Sequence, residues 1–233
     1  MVFEESIGLF TVFLITIAMS PFMNRLLKYA EAKQEMEVRV DEDYLDLSFW
    51  ERHKATILVY TSFFCGMILA MSLVYVTLPD KKIEKLFQDQ IREIQIIRGK
   101  FLFKDKFTEI ITNNISVLSL SFLFSFLFGS GAVFILAWNA SVLAAAIGMA
   151  AKSMGGAKAI PQAILIFFPH GSLEILAYFI GGIAGGIASA AIVRRKSLKF
   201  WLVIRDALKL MVVAVILLII AGFIETIEIY HSV

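Results

Sequence analysis

PHGSLEILAYFIGGIAGGIASAAIV, residues 169–193, sets an imidazole and a carboxylate at the head of an otherwise apolar run. From Ile175 to Val193 no charged residue interrupts it. A helix needs about 20 apolar residues to cross a hydrocarbon core about 30 Å thick. An ionisable group at that depth costs about 2.5–3.5 kcal/mol on insertion scales. His170 and Glu174 therefore need something to hold them there: each other, an ion, a water-filled cavity or a partner. Four residues apart on a helix, they share one face, one turn above the other.

Working outward, the rest of the chain reads the same way. It is 59% hydrophobic with a mean hydropathy of +0.79, and several runs are long enough to span a bilayer. The fold class is all-α: a polytopic membrane helical bundle with about six transmembrane segments. Helices and their connections use up most of the 233 residues, which leaves no sizeable soluble domain. The net charge is only +2, with bases and acids interleaved in the loops. The dense basic stripe of a nucleic-acid binder is missing, so no nucleic-acid partner is expected. Cys65, the single cysteine, excludes an intramolecular disulfide and a cysteine-cluster metal site. Met1-Val2-Phe3-Glu4-Glu5 has no basic n-region, so the first apolar run reads as an uncleaved helix.

The spans follow from apolar runs and their breakers. The first covers about Ser6 to Phe22 and closes at Pro21, and the second covers Ala55 to Leu78 and closes at Pro79. Residues 24–54 form a mixed-charge connection. Residues 80–109 carry Ile83, Leu86, Phe87, Gln90, Ile91, Ile94 and Ile97 at helical spacing, with charges opposite. That pattern predicts an amphipathic helix on the membrane surface or on the bundle. The third span runs from about Ile110 to Ala137. The fourth segment, 140–168, is expected to be broken or re-entrant, because small residues lead into a break at Ser153-Met154-Gly155-Gly156. The fifth span starts at His170 and the sixth covers about Val203 to Ile227. In domain terms, 1–54 is a first transmembrane helix plus a charged connection, and 55–233 is a membrane core carrying loop helix 80–109.

Arg194, Arg195, Lys196, Lys199 and Arg205 crowd the last connection and predict that it is cytoplasmic. Counting back puts 24–54 inside, with 79–109 and both termini outside. The eight Lys/Arg against six Asp/Glu in 79–109 pull against that count.

His170 and Glu174 admit three readings. They can be structural, fixing helix packing through each other or a nearby Asn or Ser. They can form an ion or proton site, since imidazole titrates near neutrality. They can be two ligands of a zinc or other divalent ion. Zinc takes three or four protein ligands, so Asn139, His53, His231, a carboxylate from another span or a second protomer would have to complete the site. No cofactor is required by anything in the chain. Pro169 suits a helix start, where Glu174 would meet the positive end of the dipole. Asn113, Asn114 and Asn139 complete the polar set near membrane depth; each amide can donate and accept, and each can equally be a cap. Gly181-Gly182 and Gly185-Gly186 form overlapping Gly-x-x-x-Gly registers for close helix approach, either within the chain or in a homodimer.

These elements together resemble one family. The Asn113-Asn114 start of span three, the run Phe124–Ala132, Trp138-Asn139, Pro169-His170-Gly171-x-x-Glu174 and the paired glycines are similar to stage II sporulation protein M over about residues 55–226. The Pro-His-Gly-x-x-Glu element is the most specific of them. The first span and residues 24–54 lie outside the shared core. The resemblance implies an all-helical integral membrane protein of the cell membrane without an established catalytic activity of its own, and no enzyme is expected. In spore-forming bacteria the family serves as a scaffold that localises two peptidoglycan-degrading enzymes. Envelope or membrane-protein partners are therefore expected here, with transport through the broken segment and His170/Glu174 as the alternative.

Overall fold

A computed structural model describes residues 7–40, 49–98, 103–128, 132–193 and 200–231, and every regular element among them is helical. Helix α1 spans Ile7–Val40 and α2 spans Phe49–Thr77; the short α3 (Asp80–Leu86) and α4 (Gln88–Arg98) follow. Then come α5 (Phe103–Phe128), α6 (Ala132–Ser153), a 3-10 turn (Ala157–Ala159), α7 (Ile160–Val193) and α8 (Phe200–His231). Six of these, α1, α2, α5, α6, α7 and α8, are long and apolar enough to cross a membrane. The protein is a multi-pass membrane helical bundle.

The expected number of spans holds, but span three closes at Phe128 rather than Ala137, with Ala132–Ala137 opening α6, and two further boundaries move. Helix α6 is continuous through its 22 residues, about 33 Å at 1.5 Å per residue, so it crosses by itself. The expected break falls where the sequence places it, yet it separates two full spans rather than two half-spans. Gly155 and Gly156 take positive φ (120° and 89°), and the Gly156 amide bonds the Ala151 carbonyl at 2.8 Å. That is the six-to-one bond of a Schellman-type cap, which only glycine adopts without strain. The second change is at Pro169. Helix α7 begins ten residues earlier, at Ile160, and runs straight through Pro169, as α1 runs through Pro21. Proline removes one intrahelical bond, a loss that neighbouring helices make tolerable inside a membrane bundle. His170 and Glu174 therefore lie in mid-helix, away from any dipole end.

The core is built by α6 and α7 with α2, α5 and α8 packed around them. Half of the residues of α6 are alanine, glycine or serine, and Ala137, Ala140, Ala144 and Ala145 are fully buried. Its surface lets α2 approach closely enough for Ser72 to donate to the Ala144 carbonyl at 3.1 Å. The paired glycines of α7 do the same for α5. A side chain at Gly181 would strike Leu118, and one at Gly185 would strike the Phe122 carbonyl and stand 2.9 Å from Ser125 Cβ. Gly182 faces Ala132 and Ser125, while nothing lies within 4 Å of a Cβ at Gly186. Most of the glycine face is thus used inside the chain.

Helix α1 belongs to the same core: Val12 and Met23 are buried, and Phe13 meets Phe134 of α6 edge-on with ring centroids 6.2 Å apart. The amphipathic segment divides at Phe87 into α3 and α4 and docks on the bundle, burying Ile83, Phe87, Gln90 and Ile94. Residues 103–109 join span three instead. Asp89 of α4 caps the start of α1 by accepting from the Leu9 amide at 2.9 Å, and Gln90 donates to Ser141 in the middle of α6 at 3.2 Å.

Candidate functional site: a polar cluster joining three helices

Helices α5 and α7 run parallel, with α8 antiparallel to both, and their faces meet where the sequence placed its ionisable pair. Asn114 of α5 donates from Nδ2 to Glu174 Oε1 at 2.6 Å. The Tyr178 hydroxyl, one turn further along α7, donates to Asn114 Oδ1 at 3.0 Å. Asn114 and Tyr178 are buried at 4% and 3% exposure, so both bonds lie away from solvent and lipid. Glu174 also meets the carboxyl of Glu225 on α8 at hydrogen-bonding range. One turn toward the end of α8, Glu228 Oε2 lies 2.6 Å from His170 Nδ1. Lys106, buried in the first turn of the third span, acts electrostatically on Glu225.

His170 and Glu174 are therefore on one face, as their spacing requires, but they do not bond each other. Each reaches across to a different helix. Glu225 and Glu228, three residues apart on α8, point the same way and continue the cluster. The arrangement ties α5, α7 and α8 by side-chain bonds whose partners would otherwise be unsatisfied in an apolar setting. A carboxyl, an amide and a phenol in series can hold a fixed geometry. Three carboxyls beside an imidazole and an ammonium can also exchange protons, since a carboxyl–carboxyl hydrogen bond needs a proton on one partner.

The other residues predicted for the site fall elsewhere. Asn139 lies on α6 and donates to the Ile135 carbonyl of its own helix at 2.8 Å, outside the cluster. Asn113 is exposed, about 100° round α5 from the buried Asn114. The glycines are packing residues. Among the described residues no group of three His, Cys, Asp or Glu side chains is arranged to hold a metal ion. Tyr178, Glu225, Glu228 and Lys106 were not singled out by sequence reasoning. Two acids three apart in the closing turns of an apolar span were the available signal for Glu225 and Glu228. Tyr178 offered the same signal, four residues beyond Glu174 on its own face.

No curated protein and no solved structure gives a match to the chain. A family model does: stage II sporulation protein M, over residues 55–227. That stretch begins at the start of the second span, encloses the cluster as far as Glu225, stops one residue short of Glu228 and omits α1. The chain belongs to the stage II sporulation protein M family.

Proposed function

We propose that this protein is a non-enzymatic scaffold of the cell membrane, whose bundle holds envelope or membrane-protein partners through the α3–α4 element. The observation that carries this reading is how firmly that element is fixed and what it shows outward. Asp89 caps α1, Gln90 bonds Ser141, Phe87 meets Tyr75 with ring centroids 5.0 Å apart, and Asp80 pairs with Lys152. The opposite face leaves Lys81, Lys82, Glu84, Lys85 and Arg92 exposed. A rigid, charged platform beside the spans is what a scaffold needs to present; the family's role in spore-forming bacteria agrees with it. The test is charge reversal of Lys81, Lys82 and Lys85 to Glu in the native host, read as the size of the complex extracted in mild detergent. The scaffold reading expects a smaller complex with unchanged protein level. A complex of unchanged size would overturn it.

A second reading, transport, draws on a different observation: three carboxyls and an imidazole gathered within a membrane bundle. Intramembrane ionisable residues commonly mark ion or proton paths. Proteoliposomes carrying the purified protein would then pass protons or cations down an imposed gradient, and Glu174→Gln would abolish the flux. Wild-type vesicles as tight as empty ones would end that reading.

A further inference from the structure

Helices α2, α6 and α7 enclose an open groove of about 350 Å³, on the face of α7 adjoining the one that carries the polar cluster. Phe64 and Ile68 of α2, Ile147 of α6, and Ile164, Gly171 and Phe179 of α7 are among its walls. Gly171 is the informative wall. It is buried, yet a Cβ built on it meets nothing within 4 Å. Glycine inside a helix costs about 1 kcal/mol relative to alanine. Gly181 and Gly185 offset that by admitting α5; Gly171 admits no protein group at all. What it leaves open is the floor of the groove.

The groove extends along α7 from Ile164 to Phe179, roughly 22 Å at 1.5 Å per residue, against roughly 15 Å for one leaflet of the hydrocarbon core. Its lining is almost wholly apolar, so an acyl chain fits it and a polar ligand does not. Beyond Ile164 the three walls lead to the 3-10 turn Ala157–Ala159, which contacts α2, α6 and α7. That turn carries Lys158, exposed, about 9 Å along the chain from Ile164. It also stands at the N-terminal end of α7, where a helix favours an anionic group.

We propose that the groove binds one anionic phospholipid of the surrounding bilayer, an acyl chain lying over Gly171 and the phosphate held at Lys158. The site is independent of the scaffold reading, since it uses neither α3–α4 nor the polar cluster. Phe167, whose ring also lines the groove, meets the His170 imidazole edge-on at 6.2 Å, so the occupied groove backs directly onto the cluster.

The experiment is native mass spectrometry of the purified full chain with phosphatidylglycerol or phosphatidylcholine of identical acyl chains. Wild type is expected to retain one phosphatidylglycerol under activation that strips phosphatidylcholine. Lys158→Glu should reduce phosphatidylglycerol retention at least fivefold, to the phosphatidylcholine level. Gly171→Leu should abolish phosphatidylglycerol retention; the open space at this position accepts the side chain. Should Gly171→Leu fail to fold, Cys65→Trp enters the same groove from α2. Equal retention of the two lipids by wild type overturns the proposal. So does retention untouched by the groove-filling variant, or by Lys158→Glu.

Discussion

Asn114 and Glu174 lie 60 residues apart in the chain and 2.6 Å apart in space, and their bond joins α5 to α7. The amide also accepts from Tyr178, so Asn114 is held from both ends of its side chain. Buried polar groups satisfied in this way make one arrangement of helices far better than its neighbours, because any slip leaves a donor without an acceptor.

Glu174→Ala should cost about 1–3 kcal/mol of stability, because it leaves the buried Asn114 amide without its acceptor. Glu174→Gln keeps an oxygen at that position and should cost clearly less. Thermal unfolding in detergent, monitored for both variants, tests the ordering; equal losses would mean that the Asn114 bond carries little.

His170 and Glu228 should behave as a unit. The variants His170→Ala and Glu228→Gln are expected to be non-additive, with a coupling energy in the range of about 0.5–3 kcal/mol that contacting pairs show. Glu228 is 35% exposed, which places the value toward the lower end. A double-mutant cycle on detergent stability measures it, and strict additivity would dissolve the pair.

The glycines separate cleanly. Gly185→Ala drives a methyl group into the Phe122 carbonyl, a backbone atom that cannot step aside, and should destabilise by about 1–3 kcal/mol. Gly186→Ala meets nothing and should be neutral or slightly stabilising through better helix propensity. The same melting experiment distinguishes them. A large loss at Gly186 would show that this glycine has a neighbour outside the chain, as a homodimer would supply.

Asp89→Ala removes a cap supplied through space, from α4 to the start of α1. Caps of this kind are worth about 1 kcal/mol. The expected result is a small loss of global stability with faster proteolytic cleavage between Asp80 and Arg98. Cleavage at the wild-type rate would mean that Gln90 and Phe87 hold the platform without it.

Much of this was written in the chain itself. Unbroken apolar runs such as Ile175–Val193 dictate membrane helices, because backbone groups in lipid must be satisfied within their own segment. The glycines at 155 and 156 fix the turn, since only they accept its positive φ without strain. The buried Ile83, Phe87, Gln90 and Ile94 followed from helical periodicity, while the side chain of Ile97 lies outside the described residues.

What local pattern could not supply were boundaries and partners. Pro169 reads as a helix start by its own chemistry, but contacts with α5, α6 and α8 carry α7 through it. His170 and Glu174 announce a need for partners without naming them. Their spacing suggested each other, whereas the partners proved to be Glu228, Asn114 and Glu225. Those choices depend on the direction and rotation of three helices packed by glycine, serine and alanine surfaces. The sequence by itself determined that ionisable groups would be buried in the membrane; the packing of α5, α7 and α8 decided which of them meet, because a hydrogen bond is set by a few tenths of an ångström and no spacing along one chain segment reaches across to another.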